Sequence, residues 1–155
     1  IRMTYSTTCA LTDARRTHSR DHAGMSDNRF FGLYGSAART TSVTSLVQVN
    51  ALHRGLHLVI NVTAVTSTPS VTPRIWGFAP TAVDAVGTPS AGLDYLLLEG
   101  SPITSTGTTV LKVYPGIVPT ANGAASDFLP YLWRFTMDHA NTDSITYSVF
   151  AMLEG

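Results

Sequence analysis

The chain has 155 residues, of which 44 % are hydrophobic and only 13 % are charged, and its ten basic and ten acidic side chains give a formal net charge of zero. This length suits one domain with a sizeable core, plus an arm. No apolar run approaches the roughly 20 residues of a transmembrane helix, so we expect no membrane-spanning helix. The single cysteine, Cys9, excludes an internal disulfide and a cysteine-based metal site.

Residues 1–41 show no regular hydrophobic period and are predicted to form an extended N-terminal arm. Residues 1–39 contain six arginines and three aspartates, whereas the rest of the chain has more acids than bases. A basic arm on an acidic body predicts contact with an acidic partner surface, for which Arg15, Arg16 and Arg20 are the candidate residues. Because these arginines are spread out among acids, we expect a protein partner and not nucleic acid.

An apolar cluster lies near the C-terminal end of the arm. It contains Phe30, Phe31, Leu33 and Tyr34 and is bounded by glycines. We interpret it as the point at which the arm docks onto the body or onto a neighbouring molecule. These four residues and the three arginines of the arm are the candidate contact residues of the chain.

From Val43 onward the apolar residues recur with the period of two that is typical of β-strands. The clearest case is residues 55–65, in which Leu56, Leu58 and Ile60 share one side. About seven such runs follow one another without a helical period: VTSLVQVN, GLHLVINVTAV, RIWGFAP, DYLLLEG, TTVLKVY, YLWRFTMD and ITYSVFAML. The pattern predicts an all-β fold, an antiparallel β-sandwich of Greek-key or jelly-roll type, over residues 42–155.

The two longest connections, residues 79–92 and 115–130, are predicted to cross from one sheet to the other. The second contains three prolines and two glycines. Pro115 and Gly116 predict a turn with a positive φ at the glycine. Asp127 is its only acid and is predicted to cap a short turn, so we interpret this loop as structural.

A search for reactive side chains finds no convincing set. His18 and His22 have a metal-like spacing but no third ligand nearby. His53 and His57 stand four apart on a strand, which separates them by about 13 Å. No G-x-S-x-G or phosphate-binding glycine loop is present in the sequence. We therefore expect neither an enzyme nor a metal or cofactor site.

The two tryptophans lie within apolar strands, which favours burial in the core or in an interface. The alternative is a carbohydrate-binding β-sandwich module. That alternative requires Trp76, Trp133 or Tyr131 to be exposed in a groove.

Three segments, LVINVTAVTSTPSVTPRIWGFAPTA, ITSTGTTVLKVYPG and LPYLWRFTMDHANTDSITYSVFAML, resemble in their order a group of small virion proteins of tailed bacteriophages. The resemblance covers roughly residues 36–153. Members of the group begin close to MSDNRFFGLYGSAART, which makes Met25 the expected start and residues 1–24 an extension. The resemblance carries over no catalytic residues.

The resemblance implies a structural component of the virion, made in the host cytoplasm. The role that we expect is capsid decoration, in which a cement protein on the capsid surface bridges and stabilises capsomers. Its partners would be the major capsid protein and copies of itself, for instance in a trimer. A tail or head–tail connector protein is the alternative within the virion.

Overall fold

The computed structural model describes residues 28–83 and 89–155, and in these residues the chain is all-β with no helix. The predicted fold class is therefore confirmed, although the strands are more numerous than the seven predicted. The described strands are β1 Arg29–Arg39, β2 Val43–Thr44, β3 Gln48–Val49, β4 Gly55–Val65, β5 Val71–Val83, β6 Pro89–Glu99, β7 Gly107–Val113, β8 Ala124–Ala125, β9 Leu132–His139 and β10 Ile145–Glu154.

The strands form two sheets that pack as a sandwich. The first sheet has the order β1-β10-β4-β7-β8. The second has the order β2-β9-β5-β6, and β3 also pairs with β9. Pairing is antiparallel except between β7 and β8. None of the described residues forms a helix long and apolar enough to cross a membrane.

The core lies between the two sheets and follows from the period of two. On β4 the side chains of Leu56, Leu58 and Ile60 are fully buried, as the alternation predicted. From the second sheet, Trp133 and Phe135 of β9 are also fully buried. Each large apolar side chain that is fully buried contributes about 1.5–3 kcal/mol relative to an exposed one, so this interface is the main source of stability.

Part of the range predicted to be an arm belongs to the sandwich. Strand β1 pairs with β10 from Arg29 to Arg39, as an edge strand of the first sheet. The folded body thus includes residues on the N-terminal side of the predicted boundary at residue 42. The candidate contacts Arg15, Arg16 and Arg20 lie outside the described residues.

The predicted strand VTSLVQVN is interrupted. It forms β2 and β3, with Ser45 between them. Ser45 keeps this segment on β9, because its backbone N–H donates to the carbonyl of Phe135 at 2.8 Å and its hydroxyl accepts from the N–H of Phe135 at 2.9 Å. At Ser45 a side-chain hydrogen bond replaces one of the regular backbone hydrogen bonds between strands. The period of two in the sequence could not reveal this interruption.

The two long connections behave differently. The prediction that residues 79–92 cross between sheets is wrong, because β5 and β6 pair as one hairpin as far as Val83 and Pro89. Residues 115–130 do lead from the first sheet to the second, as predicted. Gly116 has the expected positive φ, of 84°. The hydroxyl of Ser126 accepts from the N–H of Gly116 at 3.0 Å, which supports the structural interpretation of this loop.

Candidate interaction surface

An apolar groove lies beside the start of β1. It has a volume of about 540 Å³ and is lined by Asn28, Arg29, Phe30, Val49, Ala51, Leu52 and His53. Phe30 is 65 % exposed, and Val49 and Leu52 are each more than half exposed. Contiguous apolar side chains on the surface of a folded domain are a common feature of binding sites, so the groove is a candidate interaction surface. We call this set of residues the β1 groove.

The ring of Phe30 is held in place by its neighbour in the sheet. It stacks on Phe150 of β10, with ring centroids 5.5 Å apart and planes 13° from parallel. One face of Phe30 is therefore packed while the rest of the ring remains open to solvent. A partner that covers Phe30 would bury an aromatic ring whose position is already restricted, so little further side-chain entropy would be lost.

Asn50 does not line the groove itself, but it holds the turn whose residues Ala51, Leu52 and His53 form the other wall. Its side chain is buried, and its Nδ2 donates to the carbonyls of His53 at 2.7 Å and Leu129 at 3.0 Å. Its Oδ1 accepts from the backbone N–H of His53 at 3.0 Å, and its own N–H donates to the carbonyl of Tyr131 at 2.7 Å. One amide thus positions the turn that presents Leu52 and ties it to the segment preceding β9.

Replacement of Asn50 by alanine should lower the free energy of unfolding by about 1–2 kcal/mol, because two carbonyls and one N–H lose their partner. The matched control is Asn61→Ala, since Asn61 is an exposed asparagine on β4. Urea denaturation of both variants measures the difference. If Asn50→Ala costs no more than Asn61→Ala, Asn50 does not hold this wall.

The structure divides the four described contact candidates into two groups. Phe30 faces the β1 groove, whereas Phe31, Leu33 and Tyr34 are partly buried and pack against the core. Arg29 lies over the ring of Phe31, with its guanidinium carbon 5.3 Å from the ring centroid. The cluster is therefore the anchor of β1 on its own body, with Phe30 as the member that is free to contact a partner.

Sequence reasoning did not single out Val49 and Leu52 as surface residues. A signal for Leu52 was present, because a leucine in the short turn of residues 50–54 has no strand partner to bury it. Phe128 is also exposed, and the guanidinium carbon of Arg54 lies 5.9 Å from its ring centroid.

The aromatic residues required by a sugar-binding module are mostly covered. Trp133 is fully buried, as predicted. Trp76 is half-buried, and its Nε1 donates to the hydroxyl of Thr136 at 3.1 Å. Tyr131 is exposed but does not line the β1 groove.

The charged side chains of the second sheet are paired with one another. Arg74 of β5 forms ion pairs with Glu99 of β6 and Asp138 of β9, and hydrogen bonding to Glu99 raises the pKa of Arg74. Arg134 pairs with Asp94 across the same sheet. Within residues 28–83 and 89–155, no group of three histidine, cysteine or acidic side chains could hold a metal ion. The ion pairs link strands of the second sheet to one another.

No protein-family model matches the chain, and no curated protein is similar enough to match it. Among solved structures, the chain is similar to the SPBc2 prophage-derived protein YomS, with 15 % identity, 85 % of this chain and 96 % of that chain covered, and a TM-score of 0.43. It is also similar to a structure of infectious bursal disease virus, Gt strain, with 9 % identity, 83 % and 42 % covered, and a TM-score of 0.31. Both likenesses are too loose to assign a family or a function.

Proposed function

We propose that this chain is a structural protein of a tailed-phage particle and that it binds the capsid surface as a decoration protein. The observation that carries the proposal is the β1 groove, a mainly apolar concave surface that contains a pre-positioned aromatic ring. The order of the strand motifs, which resembles that of small virion proteins, supports it. The proposed activity is binding without chemistry.

In this proposal the groove receives a projecting apolar segment of the capsid protein. Phe30 and Leu52 lose their water contact on binding, and burial of apolar area supplies the free energy. Arg29 lines the same groove and favours an acidic segment over a basic one. A capsid presents its sites in many copies, so weak individual contacts between linked subunits add up to stable attachment.

The first test is the copy number of this chain in particles purified from the strain that encodes it, by quantitative mass spectrometry against the major capsid protein. A simple whole-number ratio to the capsid protein supports decoration. A small ring of copies per particle would instead indicate a tail or connector position. Absence from the particles would overturn the proposal.

The second test concerns the groove itself. Phe30→Asp should weaken binding to particles that lack this chain by at least about tenfold, because an aromatic anchor is replaced by a charge. The matched control is Val118→Asp, which places the same charge on a side chain that is 82 % exposed in the loop after β7. Co-sedimentation with particles measures both variants. Equal binding by the two variants would show that the groove is not the contact.

A further inference from the structure

The β5–β6 hairpin extends past the sheet to which it belongs. Strand β5 pairs with β9 only from Val71 to Gly77, whereas its pairing with β6 continues to Val83 and Pro89. From Phe78 onward, β5 therefore has β6 as its one neighbour among the described residues. A two-stranded ribbon in water is marginally stable at best. This extension gains stability if a further strand or surface covers it.

The side of the ribbon that continues the core face carries uncovered apolar groups. Gly77 pairs with Tyr95 and Ala79 with Leu93, and these pairs follow Ile75 of the core on the same side of the sheet. Leu93 is 67 % exposed and Tyr95 is 44 % exposed. The first sheet covers Ile75 completely but leaves these two side chains open to solvent.

The described part of the ribbon also has close contacts of its own, because two aromatic rings lie against glycines of the facing strand. A Cβ atom on Gly77 would come within 2.2 Å of Cζ of Tyr95, and one on Gly92 would come within 2.2 Å of Cζ of Phe78. Such packing of a ring across a strand glycine stabilises the pairing of two strands. The contact with Gly77 fixes the position of Tyr95, and Tyr95 and Leu93 together form an exposed apolar surface.

Strand β6 also has a free backbone edge. It is the last strand of the second sheet, and no strand of the described residues pairs with its outer side. Proteins usually protect such edges with charged side chains. Here Asp94 and Glu99 are already paired with Arg134 and Arg74, and residues 85–93 contain no charged residue.

We propose that β6 pairs with β6 of a second copy of this chain, antiparallel and about a two-fold axis, with Leu93 and Tyr95 buried at the contact. A second copy is the occupant because the edge of a strand is complementary to itself in the antiparallel direction. A self-contact also requires a surface that does not repel itself. Asp94, which lies between Leu93 and Tyr95, is neutralised by its ion pair with Arg134, and the chain as a whole carries no net charge. A neutral surface of this kind has no electrostatic attraction for a strongly acidic or basic partner. This inference does not depend on the proposed capsid role.

The test is the concentration dependence of the sedimentation coefficient of the purified full chain. We expect a reversible dimer, and Leu93→Glu should raise its dissociation constant by at least about tenfold, because like charges meet across the two-fold axis. The matched control, Val118→Glu, places the same charge on an exposed apolar side chain in the loop after β7 of the other sheet, and this variant should dimerise like the wild type. Circular dichroism verifies that both variants are folded.

Three outcomes would overturn the proposal: a wild-type chain that stays monomeric up to its solubility limit, an odd-numbered assembly, or equal effects of Leu93→Glu and Val118→Glu.

A second measurement locates the contact directly. In a Cys9→Ser background, single cysteines at Leu93, Tyr95 and Leu96 are oxidised under mild conditions. At least one should form an intermolecular disulfide faster than Val118→Cys, since antiparallel partners near the axis lie within about 6 Å between Cα atoms. No such preference would also exclude β6 pairing.

Discussion

Replacing Arg39 with methionine should lower the free energy of unfolding by about 2–4 kcal/mol and release the second half of β1 from its sheet. The guanidinium of Arg39 donates hydrogen bonds to three backbone carbonyls. Its Nη1 donates to the carbonyls of Tyr147 at 2.9 Å and Ala37 at 3.0 Å, and its Nη2 donates to that of Gly35 at 3.0 Å. Hydrogen bonds from a charged donor contribute more than neutral ones, and all three are lost together in this variant.

The same guanidinium also lies over two aromatic rings. Its central carbon is 4.5 Å from the ring centroid of Tyr147 and 5.4 Å from that of Tyr34. These contacts occur where β1 most needs support, since its register against β10 shifts twice between Gly32 and Ala37. A shifted register disrupts the regular ladder and leaves carbonyls that require other donors. Arg39 supplies those donors.

The matched control is Arg39→Lys, which retains the charge but not the planar fork that reaches several carbonyls at once. It should recover less than half of the loss. Urea denaturation gives the free energies, and hydrogen exchange should show faster exchange of the amides of residues 34–39 with no change in β4. A loss below about 0.5 kcal/mol, the range of ordinary surface substitutions, would contradict this role for Arg39.

The contacts that hold β1 explain why the sequence did not reveal this strand. Strands β4 and β10 place an apolar or aromatic residue at every second position from residue 56 to 64 and from residue 145 to 153, and the bounds predicted for both strands agree closely with the structure. The second half of β1, GSAAR, has small or polar residues that are mostly exposed, and it is held by edge pairing and by one arginine. A strand that is stabilised by a distant partner has no period to detect.

The β5–β6 hairpin was misinterpreted for a related reason. Pro80, Pro89 and Gly92 are turn signals in a sequence, yet all three lie within paired strands. Pro80 is tolerated because β5 no longer pairs with β9 beyond Gly77, so its missing N–H costs no hydrogen bond on that side. Pro89 lies on the edge strand β6, where a missing donor is also tolerated.

The candidate surface was only partly predictable. The sequence predicts Phe30 only as one member of the apolar cluster. Phe31, Leu33 and Tyr34 could not be separated from it without knowing which side of β1 meets the core. Asn50 is a single asparagine after a strand, a position at which the sequence suggests only a turn. Its role arises from the carbonyl of Leu129, 79 residues away in the chain.

Raising the pH from about 10 to about 12 should lower the stability of the wild-type protein more steeply than that of Tyr147→Phe. Tyr147 is fully buried, and burial raises the pKa of its phenol to about 12, with the neighbouring Tyr34 adding to the rise and Arg39 opposing it. Burial also raises the pKa of Tyr34. In the unfolded chain a tyrosine ionises near pH 10.

Between these two values the unfolded state loses the proton of Tyr147 while the folded state keeps it. The contribution of this group is therefore complete below about pH 10 and is lost as the pH rises toward 12, by about 2–3 kcal/mol in total. Because lysine and other tyrosine residues titrate in the same range, the quantity to measure is the difference between the wild type and Tyr147→Phe in urea midpoints at each pH. The gap between the two curves should widen as the pH increases, with Tyr147→Phe the more stable protein at pH 12.

The same variant is informative at neutral pH. The hydroxyl of Tyr147 is buried and has no hydrogen-bond partner among the described residues, and a buried hydroxyl without a partner costs about 1–3 kcal/mol of desolvation. Tyr147→Phe keeps the ring beneath Arg39, so it should leave stability at pH 7 unchanged or raise it. A clear loss at pH 7 would mean that the hydroxyl does have a partner in the folded protein. Parallel pH curves would mean that its proton is not held by burial.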